Sequence, residues 1–193
     1  MFNDKYRLTQ AVLEGIKTNT RRIIPLSHKM DFYDFGIDEK GKIYATFIDA
    51  EGRTEDVYPK YQVGEEVAIA QSYQKVFDTV GTMNVPQLHE IPFNHKGWHN
   101  KMFVLANLMP HRIKITNIRV ERLQDISKED CLREGIIHSH ARGDRDKEDY
   151  GFDGGFWFKT PRKAYATLID KISGKGTWQS NPYVFVYDFE LIK

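Results

Sequence analysis

Residues 111–123 read HRIKITNIRVERL, and the period of that alternation admits a strand and little else. Ile113 and Ile115 share one face, and Ile118 and Val120 return to it once an extra residue is accommodated near Asn117, so a β-bulge is expected there. The closing run NPYVFVYDFELI, residues 181–192, predicts a second long strand. Two such strands need a sheet, and the remaining elements are read as fitted around it.

The helices are short. LTQAVLEG places Leu8, Ala11 and Val12 on one helical face, with Gly15 where a C-terminal cap belongs. ISKEDCLREG offers Ser127 as N-cap, Asp130 three residues later in a capping-box pattern, and Gly135 as the stop. TPRKAYATLIDKI opens on Thr160 and Pro161 and carries the apolar stripe Tyr165, Leu168, Ile169 and Ile172.

Between residues 31 and 58, DFYDFGI, KIYATFI and RTEDVY are separated by the turns DEKG and DAEG, which predicts a three-stranded meander. In YQVGEEVAIAQSY, residues 61–73, a glycine turn leads into a buried strand through Val67, Ile69 and Gln71. The stretch from there to about Asn100 shows no clear period and reads as a long loop, as do residues 138–158. The fold class expected is α+β: a small, mostly antiparallel sheet or barrel with a few short helices, in a single domain spanning residues 1–193.

Charge narrows the partners. A formal net charge of +1 lacks the basic excess of a protein that tracks long stretches of phosphate backbone, so any nucleic-acid contact is local. The distribution is uneven: residues 31–66 hold ten acids and four Lys/Arg, whereas 95–122 hold six Lys/Arg and one acid, Glu121. Two solvated faces, or a basic wall toward an anionic ligand, both fit that pattern. The single cysteine, Cys131, leaves no internal disulfide framework and no cysteine-rich zinc site. The opening MFNDKYRLTQ is charged where a secretory leader is apolar, and no run approaches a membrane span, so a cytoplasmic location without membrane contact is expected.

The candidate chemistry starts at EGIKTNTRR, residues 14–22, which crowds Lys17, Thr18, Thr20, Arg21 and Arg22 beyond a helix end. A lysine beside a threonine hydroxyl can activate it as a nucleophile when burial lowers the lysine pKa, or can hold an anion while charged. A solvated turn whose cations complement the helix C-terminus is the simpler alternative. Glu134 closes its own helix, where a carboxylate faces the negative end of the macrodipole at a cost of about 0.3–1 kcal/mol. Pairing with Lys17 would offset that cost and complete an acid–base set.

Tyr73, Trp98, Trp157 and Trp178 are candidate base-stacking residues, though each also suits a sheet core. His89, His95 and His99 share one loop, but their spacing matches no metal-ligand motif, and His138 and His140 are equally unspecific; no metal or cofactor is called for. Nucleophile-elbow, P-loop and dinucleotide fingerprints are all missing.

GIKTNTRR at 15–22, YQVGEEVAIAQSY at 61–73, RIKITNIRVERLQDISKEDCLREGI at 112–136 and WQSNPYVFVYDFELI at 178–192 together resemble the ASCH domain family, in the family's order and most like its larger phage-related and bacterial members. The resemblance implies a PUA-like β-barrel with a cleft suited to RNA or a modified nucleoside. Some small family members are amidohydrolases that remove the acetyl group of acetylcytidine with a lysine, a threonine and a glutamate. By motif these fall on Lys17, Thr20 and Glu134, with Thr18, Arg21, Arg22, Gln71, Tyr73 and Trp178 as candidate ligand contacts. Relative to the minimal domain the chain carries insertions at about 25–60, 76–100 and 138–160. The expected function is binding of RNA or a nucleoside, with amide hydrolysis as the alternative.

Overall fold

The computed structural model describes residues 2–81, 85–139 and 149–192. After one 3-10 turn the chain forms α1 (Leu8–Leu13), β1 (Asn19–Ile23), the meander β2 (Asp31–Ile37), β3 (Ile43–Ile48) and β4 (Thr54–Val57), then β5 (Glu66–Ala68) and α2 (Tyr73–Val80). A series of 3-10 turns leads to β6 (Arg112–Arg122) and α3 (Lys128–Arg133). The two-residue strands β7 (Ile137–His138) and β8 (Tyr150–Gly151), α4 (Pro161–Ser173), α5 (Thr177–Ser180) and β9 (Tyr183–Ile192) complete it.

The main sheet has the order β1-β9-β6-β5, entirely antiparallel, and curls into a half-barrel; the architecture is mixed α+β. The long pair β6 and β9 forms its spine, with the expected register shift between Ile115 and Asn117. That extra residue keeps Ile113, Ile115 and Ile118 in one buried cluster with Phe185, Tyr187 and Phe189 of β9. The alternate β9 residues Val184 and Val186 face the opposite way, against Cys131 of α3 and Ala164, Tyr165, Leu168 and Ile169 of α4. The sheet is therefore buried on both faces, which explains why β9 reads as a nearly continuous apolar run. No helix among the described residues is long and apolar enough to cross a membrane.

The meander forms as expected, as a separate sheet in the order β2-β3-β4. Three expectations need correction. The strand expected through Gln71 stops at Ala68, because Ser72 caps α2 by accepting from the Lys75 amide. Residues 73–80 are helical, not loop: Tyr73, Val76, Phe77 and Val80 follow the i, i+3, i+4, i+7 spacing of one helical face. They help form a third cluster in which Tyr73, Val76, Leu88 and Trp98 are buried. The expected 138–158 loop instead contributes β8, which pairs with β7 and bridges Phe158; residues 140–148, including His140, lie outside the described residues.

Candidate functional site

Local backbone geometry puts Lys17 where it is. Gly15, at φ +73°, reverses the chain after α1, and the Lys17 amide donates to Ala11 O at 2.9 Å. Thr18 then ties β1 to both neighbours: its amide donates to Arg133 O at 2.9 Å, and its carbonyl accepts from the Phe189 amide at 2.9 Å. The Lys17 side chain is thereby directed into the gap between β1 and the end of α3 and is 2% exposed.

Glu134 reaches the same gap from the other side. Ser127 caps α3 by accepting from the Asp130 amide at 3.0 Å, and Gly135, at φ +102°, ends it. A Cβ on Gly135 would lie 3.1 Å from Leu8 Cδ2, so glycine also lets the helix end pack against α1. The reciprocal half of the expected capping box does not form, because the Asp130 carboxylate is engaged by Arg21, Arg119 and Arg133 instead.

Lys17 Nζ donates to Glu134 Oε2, to Asn19 O at 2.8 Å and to Glu134 O at 3.0 Å. These three acceptors use all three ammonium protons. The other carboxylate oxygen, Glu134 Oε1, accepts from Arg21 Nη1 at 3.2 Å and from the Tyr165 hydroxyl at 3.4 Å. Arg21 is itself buried and also donates to Glu121 at 2.7 Å and Asp130 at 2.8 Å. Arg119 and Arg133 extend the network to Asp188. Four cations thus interleave with four carboxylates between the sheet and α3, which is what burial of Lys17, Arg21, Asp130, Glu134 and Asp188 requires.

Burial holds the Lys17 pKa below the ordinary lysine value, against the opposing pull of the Glu134 carboxylate. Burial also works against the Arg21 charge, but Glu134 and Glu121 outweigh it and the guanidinium is held above its usual value. The Tyr165 hydroxyl is pushed up by burial and then by the adjacent Glu134.

A cleft of about 350 Å³ opens beside this pair, and Lys17, Thr20, Arg21, Arg22 and Glu134 all line it. Leu168, Ile169 and Ile172 of α4 form its apolar wall, and Phe2, with its ring centroid 5.8 Å from Lys17 Nζ, closes one side. Lys101, from the segment after α2, reaches the rim and donates to Phe2 O. A second chamber of about 190 Å³, bounded by Tyr61, Ile69 and Tyr187, shares Phe2, Thr20 and Arg22 with the first.

The other candidates lie elsewhere. The Thr18 hydroxyl accepts from Arg133 Nε at 3.0 Å and serves as a latch on α3. Gln71 is buried and lines neither chamber, and its side-chain oxygen has no hydrogen-bond partner among the described residues. Tyr73 is fully buried in the third cluster, where its hydroxyl accepts from the Leu105 amide at 2.9 Å. Trp178 packs edge-on against Tyr165 while its carbonyl accepts from Gln124; it does not line the cleft. Trp98 is buried beside Phe93, and Trp157 is exposed at 42%. Among the described residues no three His, Cys, Asp or Glu side chains converge as metal ligands; His95 Nδ1 accepts from Gly97 and His99 meets Gln74.

Sequence reasoning missed Tyr165, Phe2 and Lys101 as cleft residues and Asp188 as a partner of the arginines. Asp188 did carry a signal: it is the one acid inside the apolar stretch YVFVYDF. Phe2, Lys101 and Tyr165 carried none, because tertiary folding alone brings them to the cleft. Compared with protein-family models, curated proteins and solved structures, the chain matches none.

Proposed function

We propose that this chain is an ASCH-type protein with a PUA-like barrel, and that the cleft beside Lys17 and Glu134 binds a nucleoside, free or as one unstacked residue of RNA. One observation carries the reading: Lys17, Thr20, Arg21 and Glu134, singled out in segments more than a hundred positions apart, line one cleft. Its volume of about 350 Å³ falls within the range of about 300–1,000 Å³ typical of small-molecule sites. An apolar wall faced by charged and hydroxyl groups suits a flat, polar ring better than an extended phosphate backbone. The formal charge of +1 favours the same small footprint.

Titration with acetylcytidine tests this. Ile172 sits at the wall with 37% exposure, so Ile172→Trp fills the cleft without burying a new group in the core. Saturable binding by the wild type that weakens about tenfold or more in Ile172→Trp supports the reading. Unchanged affinity in that variant, or no binding to the folded wild type, contradicts it.

Hydrolysis is the second reading, and the direct Lys17–Glu134 contact on the cleft wall is what favours it. In that reaction the Thr20 hydroxyl adds to the amide carbonyl and gives its proton to a neutral Lys17. The exocyclic amine leaves with a proton from the Lys17–Glu134 pair, and water then releases acetate from Thr20. It requires Lys17 first to pass a proton to Glu134, since all its N–H groups are engaged. Release of cytidine and acetate, abolished by Thr20→Val, distinguishes catalysis from binding.

A further inference from the structure

Phe2, Thr20 and Arg22 line both the 350 Å³ cleft and the 190 Å³ chamber, so they form the wall between the two. Thr20 and Arg22 belong to β1, whose backbone is fixed by pairing with Tyr187 and Phe185 of β9. Phe2 belongs to no helix or strand. Its side chain packs against both large buried clusters: the one whose Leu8 and Leu168 line the cleft, and the one whose Ile69, Ile113 and Ile115 line the chamber. The ring therefore stands across the passage, its centroid 5.6 Å from that of Phe189 and 5.8 Å from Lys17 Nζ.

The segment after α2 holds Phe2 there. Lys101 Nζ donates to Phe2 O and pairs with the Asp4 carboxylate at 2.9 Å, and the buried Thr9 hydroxyl, in the first turn of α1, donates to the same carboxylate.

The two spaces suit different chemistry. The cleft presents the charges of Lys17, Arg21 and Glu134, whereas the buried walls of the chamber, Ile69, Ile113 and Ile115, are apolar. Ribose hydroxyls or a base edge would lose their hydrogen bonds against those walls, whereas an apolar group gains by leaving water. An apolar cavity of about 150 Å³ holds benzene. The chamber's 190 Å³ thus has room for a phenyl ring. Thr20, which the hydrolysis reading places at the acyl carbon, shares the wall with Phe2, so the acyl group of an acylated nucleoside is the part that meets the ring.

We infer that Phe2 is a specificity-determining residue: its ring shuts the apolar chamber off from the cleft and limits the group on the nucleoside's exocyclic amine to about the size of acetyl. This rests on the nucleoside reading of the cleft, and Phe2 can fail as the limiting residue while that reading stands.

Isothermal titration of the full chain with cytidine, acetylcytidine and benzoylcytidine, the last with a phenyl ring in place of the acetyl methyl, tests it. The wild type is expected to bind acetylcytidine about tenfold or more tighter than benzoylcytidine, and Phe2→Ala to bring the two within about threefold by tightening benzoylcytidine binding. A gain of affinity cannot come from a damaged fold. Circular dichroism checks folding, and if Phe2→Ala does not fold, Phe2→Leu, apolar but without the ring, should lower the ratio in the same direction. Equal wild-type affinity for the two acylated nucleosides overturns the inference, as does a ratio that the folded variants leave unchanged; acetylcytidine binding then keeps the nucleoside site in place. A ratio lowered only by weaker acetylcytidine binding also overturns it, since the chamber has not been opened. No binding of any of the three by the folded wild type removes the nucleoside reading and this inference with it.

Discussion

Lys17 Nζ and Glu134 Oε2 are in direct contact in a nearly solvent-free gap, although 117 positions separate them in sequence. Glu134 is the more heavily committed partner, because Arg21 and Tyr165 also donate to it. Removing its charge takes the shared counter-charge from Lys17 and Arg21, and the amide nitrogen of a glutamine faces one of the two donors. Glu134→Gln is therefore expected to cost about 3–5 kcal/mol of stability in urea unfolding. Lys17→Met should cost less, since Arg21 continues to neutralise the carboxylate. The reverse order would mean that Lys17, not Glu134, is the centre of the network.

Acid should act through Asp130. Burial works against its charge, but the Arg21 hydrogen bond and the Arg21, Arg119 and Arg133 charges prevail, holding the carboxyl below its ordinary value of 3.8. A carboxyl depressed in the folded state stabilises the protein above its unfolded value, and that contribution is lost as pH falls through the folded one. Urea midpoints of the wild type should thus drop below about pH 4, and Asp130→Asn should be less stable at pH 7 with a shallower acid decline. An unchanged acid slope in the variant would assign the loss to other groups.

Cys131 should be inert in the native state. It is fully buried, and burial pushes its thiol up to about 12, so little thiolate exists at neutral pH. A thiol reagent should react only as fast as the protein unfolds and at once in denaturant. Rapid labelling without denaturant would show that the α3–sheet interface opens readily.

The segment after α2 should respond to Gly97. A Cβ there would lie 2.5 Å from the Tyr73 ring and 2.9 Å from Phe103 O, so the backbone or the ring must move. Gly97→Ala is expected to cost about 1–3 kcal/mol and to speed hydrogen exchange at the Leu105 amide, which Tyr73 holds. A neutral effect would mean that Tyr73 is not the anchor of this segment.

The alternating run of β6, the nearly continuous apolar run of β9 and the capped helices α1, α3 and α4 were legible because each is specified by neighbouring residues. Helix α2 was obscured by its polar filling, Gln74, Lys75 and Asp78, and by the irregular turns that follow it. Lys17 and Glu134 stood out as misplaced charges, yet their contact depends on how the Gly15 turn and the Gly135 stop aim two elements at one gap. Tyr73 and Trp178 have the chemistry of base-stacking residues, but burial commits Tyr73 to the third cluster and packing against Tyr165 commits Trp178 to α4.

The most direct test of the ligand site is a titration with acetylcytidine followed by amide resonances. The account predicts saturable shifts at Lys17, Thr20, Arg21 and Arg22, the residues that line the cleft. Shifts confined instead to the separate cavity of about 510 Å³ bounded by Gln10, Glu14, Ile16 and His138, or no shifts at all, would contradict it.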